Sequence, residues 1–217
     1  MESKSTALIV VDMNRAHLDM KMNYLPVSPG EAQRILGNVS RIVIPLFRKF
    51  GCPVIFVQTA HRVHPQTGEP FSLASPFWKF QMEKTVVAGV GKKRETRAIL
   101  GSPVTELMPE LDVHPGDPIV VKQRYSPFLG TDLDAIIRIL GIRTVFLAGV
   151  NTNNCVLCTA FEAFNRDLRV IVLEDCCASM NGTQCHDMAI QQIRTSLGWV
   201  IQTDQIEAIL KGETDLG

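Results

Sequence analysis

Thr144-Val-Phe-Leu-Ala-Gly-Val-Asn-Thr-Asn-Asn-Cys155 is the stretch from which the fold can be read. Its first half is an unbroken apolar run, the pattern of a strand buried on both faces, and such strands belong to parallel sheets covered by helices. Gly149 breaks the run, a polar turn follows, and Val156 to Phe164 has the composition and apolar spacing of a helix. Cys155 therefore falls at or near a helix N-terminus, where unpaired N–H groups and the positive end of the macrodipole favour a thiolate. Two readings of Cys155 stand at this point: a nucleophile with a raised thiolate fraction, or a small buried hydrophobe.

The same alternation runs outward in both directions. Apolar runs predict strands over Ala7–Val11, Val54–Val57, Ile119–Val121, Thr144–Ala148, Val170–Leu173 and Trp199–Ile201. Amphipathic spacing predicts helices over Glu31–Phe50, Asp132–Leu140, Cys155–Asp167 and Thr183–Leu197. This is an α/β chain, a three-layer α/β/α arrangement around a mainly parallel sheet, and ligands in such sheets bind beyond the carboxyl ends of the strands. Residues 61–111 carry Pro65, Pro70, Pro76, Gly89, Gly91, Gly101 and Pro103 with little periodicity. The expectation is one domain over residues 1–217, with 61–111 as an irregular lid or oligomer-contact region.

The 217 residues carry a formal net charge of zero. That excludes the basic field expected of a nucleic-acid or anionic-membrane binder and leaves a small-molecule ligand. No apolar run approaches the length of a membrane span, and Ala7–Val11 is too short for a signal peptide's apolar region, so a cytoplasmic location is expected. Six cysteines are too few for a disulfide scaffold at this length. Cys155 and Cys158 have a redox spacing without the flanks of a thioredoxin-like motif, and the adjacent Cys176 and Cys177 are read as packing.

Three of the predicted strands end in reactive groups. Strand one runs into Asp12, strand three into Lys122, and strand four leads to Cys155. In this division of labour Asp12 takes the proton of Cys155, Lys122 keeps the Asp12 carboxylate ionised, and sulfur attacks a polarised carbonyl. An ionised Asp12 also works against a neighbouring thiolate, so a neutral thiol beside a charged Asp12–Lys122 pair is the second reading of the free protein. Taken separately, Asp12 and Lys122 are equally readable as an ordinary buried ion pair.

These blocks resemble a known family. Ala7-Leu-Ile-Val-Val-Asp12, Gly101-Ser-Pro, Glu106-Leu, Lys122-Gln-Arg-Tyr-Ser-Pro-Phe-Leu-Gly-Thr131-Asp-Leu and Ala148-Gly-Val-Asn-Thr-Asn-Asn-Cys155-Val are similar to the isochorismatase-like cysteine hydrolases. The branch resembled is that of N-carbamoylsarcosine amidase and related ureido-compound amidohydrolases. The resemblance covers nearly the whole chain and implies six parallel strands, a homo-oligomer (dimer or tetramer), and Asp12, Lys122 and Cys155 as catalytic triad. It further implies a cis peptide at Val150–Asn151 and an oxyanion hole built from the N–H groups of Asn154 and Cys155.

Departures from relatives narrow the chemistry. Nicotinamidases of this superfamily carry an Asp-x-His metal site after strand two, whereas the matching stretch here is His61-Arg62-Val63-His64, with Arg62 at the acidic position. No metal and no cofactor are therefore expected. Tyr125 and Ser126 are placed either in the pocket or in core hydrogen bonds, and Asn14 and Thr152 either bind an amide or cap a helix or turn. Asn181 and Gln184 read equally as substrate contacts or solvated residues. The function implied is an amidohydrolase that cleaves a C–N bond of a small amide or carbamoyl/ureido compound through a thioester-type intermediate on Cys155. The alternatives are an inactive binding protein of the same fold, or an isochorismate-type vinyl-ether hydrolase, which has no use for Cys155.

Overall fold

The apolar runs form strands β1 (Thr6–Val11), β2 (Val54–Thr59), β3 (Ile119–Lys122), β4 (Thr144–Val150), β5 (Arg169–Ala178) and β6 (Trp199–Ile201). They are seen in a computed structural model that describes residues 5–22, 24–71, 75–77 and 98–214. All neighbouring pairs are parallel, in the order β3-β2-β1-β4-β5-β6. The chain winds outward from β1 in one direction and from β4 in the other, so the switch point lies between these two strands. Every residue of β1 and β4 is buried. Leu8, Val10, Phe146 and Ala148 feed one core, and Ala7, Ile9, Val11, Val145 and Leu147 feed the other, the two-residue period of a strand.

Helices α1 (Arg15–Leu18), α2 (Pro29–Asn38), α3 (Ile44–Lys49), α4 (Leu133–Ile139), α5 (Leu157–Phe164), α6 (Thr183–Ser196) and α7 (Ile206–Lys211) are present among the described residues. Ser28 caps α2, its hydroxyl accepting the Glu31 N–H, with Pro29 at the first helical position. The single helix expected over Glu31–Phe50 is interrupted by a π turn, Val39–Val43, across which Ile44 N–H donates to Val39 O. Pro45 explains it: proline lacks an N–H and its ring collides with the carbonyl four residues back in a regular helix, and a wider turn just before it relieves both. On the α3 side, Phe47 packs edge-on against Phe146 with ring centres 5.1 Å apart.

Strand β5 runs five residues past the expected Leu173, through Glu174-Asp175-Cys176-Cys177 to Ala178. Its pairing with β4 shifts from Leu147↔Val172 to Gly149↔Cys177, a bulge that accommodates the extra residues. Asp175 is tied down there, accepting from the Thr203 N–H and hydroxyl while its carbonyl accepts from Arg34 and Asn38. The extension carries the chain beyond β5 up beside the turn that follows β4. Gly149 is required at that edge, since a Cβ there would collide with the Val11 carbonyl and its φ is 125°.

No helix of the described residues is long and apolar enough to cross a membrane. Residues 72–74 and 78–97 of the expected lid lie outside the described residues. The described part makes three isolated bridges, His61↔Ile99, Val63↔Pro70 and, back to the start of α1, Asn14↔Leu107.

Candidate active site

Four adjacent strands deliver four polar side chains to one edge of the sheet. Across β3, β2, β1 and β4 these are Lys122, Thr59, Asp12 and, in the turn after β4, Cys155. Asp12 leaves β1 with φ 51°, a left-handed conformation that aspartate tolerates better than most residues. Lys122 is the last residue of β3 and reaches back over β2. Its Nζ lies 2.8 Å from Asp12 Oδ2, 2.6 Å from Thr59 Oγ1, 3.1 Å from the Arg124 carbonyl and 3.2 Å from Cys155 Sγ. Asp12 Oδ1 accepts the Thr59 N–H at 2.7 Å. Oδ2 faces Lys122 as an ion pair without a well-aligned hydrogen bond, which leaves it open to the Cys155 proton.

Burial and the mutual interactions of the three groups set the charge states. Burial would raise the Asp12 carboxyl, but the Lys122 ammonium outweighs it, with His17 and the Cys155 thiol assisting, and the group sits below its ordinary range. Burial alone would deprotonate Lys122; Asp12 and Cys155 reverse this and hold the ammonium above its usual value. The Cys155 thiol is pushed up to about 12 by burial, with Asp12 adding and Lys122 opposing without prevailing. The resting site is carboxylate, ammonium and thiol. Of the two expectations for the free protein, a raised thiolate fraction or a neutral thiol beside a charged Asp12–Lys122 pair, the second is favoured, because burial and an adjacent carboxylate outweigh the helix end. Cys155 itself lies in a π turn, Thr152–Val156, ahead of α5 rather than at the first turn of a regular helix.

A cavity of about 90 Å³ opens onto these groups. Besides Asp12, Thr59, Lys122 and Cys155 it is lined by Asn151 and Asn154, by His17 and His61, and by Arg124 and Tyr125. His61 is held neutral, its pKa lowered to about 4 by burial and then by Arg124 and Lys122. The Val150–Asn151 peptide is cis.

The isochorismatase domain family matches residues 6–205. The chain belongs to the isochorismatase family. Among its relatives is the ureidoacrylate amidohydrolase RutB of Variovorax paradoxus, 31% identical over 208 residues, covering 94% of this chain and 81% of the relative. The N-carbamoylsarcosine amidase structure from Thermoplasma acidophilum is 29% identical and superposes with a TM-score of 0.70, covering 95% of this chain and 99% of that one. A cysteine hydrolase structure from Pseudomonas syringae pv. phaseolicola 1448A, 21% identical, covers 99% of this chain and 96% of its own with a TM-score of 0.80, which shows the shared fold.

Within this isochorismatase-family site, Asp12, Lys122 and Cys155 come together as expected, and Tyr125, Asn151 and Asn154 reach the cavity. Five other site expectations need restating; for Ser126 and Asn14 the alternative reading, a core hydrogen bond and a helix-cap position, is the one seen. Ser126 is buried in a turn, where its hydroxyl accepts the Phe128 N–H at 3.1 Å. Thr152 is fully buried and faces away, toward His186. Asn14 starts α1, its carbonyl accepting the His17 and Leu18 N–H groups, and is absent from the cavity lining, as is Val150. The Asn154 N–H, expected in an oxyanion hole, instead donates to the Asn151 carbonyl at 3.0 Å; the same carbonyl accepts from Val156 at 3.1 Å, closing the turn.

Thr59 was not among the sequence candidates. The signal was available, since it pairs directly with Lys122 across the β2–β3 ladder. His61 and His64 diverge: His61 lines the cavity, while His64 Nδ1 accepts from Gln66 N–H and its ring packs edge-on against Phe71. Among the described residues no cluster of three or more metal-ligating side chains occurs.

Proposed function

We propose that this protein is an amidohydrolase that cleaves a C–N bond of a small carbamoyl, ureido or amide compound through a covalent intermediate on Cys155. One observation carries the assignment: a cavity-facing sulfur 3.2 Å from an ammonium that is itself 2.8 Å from a carboxylate with an open oxygen. Asp12 takes the thiol proton as the Cys155 sulfur bonds to the substrate carbonyl carbon, and the developing oxyanion is met by the Cys155 N–H and the Lys122 ammonium. Collapse of the adduct breaks the C–N bond, and the departing ammonia or amine takes the proton from Asp12. Water then attacks the thioester-type carbonyl carbon, giving its proton to Asp12, and the sulfur leaves as the thiol when that proton returns to it. Lys122 keeps Asp12 ionised throughout the resting state.

Arg124 lines the cavity beside the Asp12–Lys122 pair, which supports a substrate bearing a carboxylate. A volume of about 90 Å³ supports a compound of few heavy atoms. His61 and Ala98 line the cavity from within 61–111, which supports that region as its cover in a one-domain protein. Six free cysteines support a reducing, cytoplasmic location. Exposed Leu129, Ile139, Phe161 and Phe164 support a homodimer or homotetramer.

Ammonia release from a panel of N-carbamoyl acids, ureido acids and simple amides tests the assignment. Turnover of at least one class by wild-type protein, lost in Cys155→Ala, is expected. No release from any of them by correctly folded protein would overturn it.

A further inference from the structure

Three polar side chains of the nucleophile turn hydrogen-bond to one short stretch of chain. Asn151 Oδ1 accepts the Met180 N–H at 2.8 Å. Thr152 Oγ1 lies 2.8 Å from His186 Nδ1. Asn153 is held at both ends of its amide: Nδ2 donates to Asn181 Oδ1 at 3.1 Å, and Oδ1 accepts from Ser179 Oγ at 2.6 Å. Ser179 Oγ in turn accepts the Asn181 N–H at 3.0 Å, which stiffens the receiving side. Three consecutive residues thus bond to residues 179–186, the segment that leaves the bulged end of β5 and begins α6.

The Thr152 and Asn153 bonds lie outside the cavity lining, and none of the bonds takes part in the proton transfers. Asn151, Thr152 and Ser179 are buried, which limits competition from water at their ends of these bonds. On the opposite side, the turn meets the Asp12–Lys122 pair through the Cys155 sulfur, whose hydrogen-bond distance to Lys122 leaves little tolerance. A nucleophile misplaced by about 1 Å loses on the order of a hundredfold in rate. The lateral position of the sulfur must therefore be set from behind.

We propose that Ser179, Asn181 and His186 form a positioning clamp which, through Thr152 and Asn153, holds the nucleophile turn where Cys155 reaches Asp12 and Lys122. The proposal rests on the amidohydrolase assignment of the same site. β5 pairs with β4 as far as Val150↔Ala178, so the 179–186 segment starts beside the turn. It also brings Met180 to the cavity wall, joining the clamp to the substrate space.

The test compares Thr152→Val, His186→Leu, their double variant and His186→Asn. Steady-state kinetics are normalised to titratable Cys155 and paired with hydrogen exchange read by mass spectrometry. The singles should lose about tenfold to a hundredfold in kcat with KM within about twofold. The double should be no worse than the poorer single, because both remove one bond. His186→Asn, which places an amide near the Nδ1 position, should recover most of the loss. Exchange should quicken in both 150–158 and 179–186 whichever side is mutated. Wild-type kcat with only a lowered melting temperature, multiplicative losses in the double, or faster exchange confined to the mutated segment would each overturn the clamp. If wild-type protein released no ammonia while the two segments remained coupled in exchange, the clamp would stand and the amidohydrolase assignment alone would fall.

Discussion

The turn after β4 and the end of β5 each bury a cysteine in the same apolar core, Cys155 and Cys177. Both thiols are pushed up to about 12 by burial. The Cys177 sulfur lies 4.0 Å from the Leu147 carbonyl and near the Gly149 backbone, and it is not part of the lining of the cavity at Cys155. Cys155 has an ammonium at 3.2 Å, a carboxylate ready for its proton and a cavity in front of it. Two thiols with the same resting protonation thus have opposite prospects, and the difference lies in their neighbours. In the proposed mechanism reactivity is generated when a substrate arrives and Asp12 accepts a proton, not stored as a free thiolate.

Paired substitutions break the comparison most severely. Cys155→Ala should lower kcat by about 10⁶-fold and leave the circular dichroism spectrum intact. Cys177→Ala should keep kcat within about twofold and cost about 1 kcal/mol in denaturant unfolding. Equal activity losses in the two would erase the distinction. Asp12→Asn should follow with a loss of about 10²–10⁴-fold in kcat, having removed the proton acceptor. Lys122→Met leaves a buried carboxylate unpaired and should destabilise the fold by about 3–5 kcal/mol, measured by urea unfolding. Thr59→Val, which removes one acceptor of the ammonium, should cost about tenfold in kcat/KM.

Much of this was legible in the sequence, for a definite reason. Strands buried on both faces are continuous apolar runs, and in a parallel sheet their carboxyl ends share one edge, so Asp12, Lys122 and Cys155 could be brought together without coordinates. Thr59 was missed because Gln58 and Thr59 end β2 with polar residues that read as loop. Glu174 and Asp175 hid the true end of β5 in the same way, although Asp175 is anchored by Arg34 and Asn38 of α2 and by Thr203 after β6. Ser126 and Thr152 were ambiguous because a hydroxyl near a motif looks alike whether it faces the cavity or a turn N–H. The protonation of Cys155 depends on burial by elements distant in sequence, which local spacing does not encode.

The smallest effect expected is on the pH dependence, and it sharpens the comparison. Asp12, lowered below its ordinary value of 3.8, contributes stability above that value and loses it as pH falls through the folded-state pKa. Cys155 and Cys177, raised from 9.0 to about 12, favour the folded state while both states are protonated and lose that contribution as pH rises from 9 toward 12, where the unfolded thiols ionise first. Denaturant titrations should therefore show stability flat through neutrality and falling above pH 9, with a smaller fall in either Cys→Ala variant. kcat/KM should lack the step near pH 8.5 that an ordinary free thiol would impose.

Covalent labelling by a slow, carbamoyl-bearing electrophile, followed by peptide mass spectrometry and residual-activity measurement on the same samples, tests the nucleophile most directly. Label should appear on Cys155 before Cys52, Cys158, Cys176, Cys177 or Cys185, with activity lost in proportion to its occupancy. Full occupancy of Cys155 with activity retained would show that this sulfur does not attack the substrate.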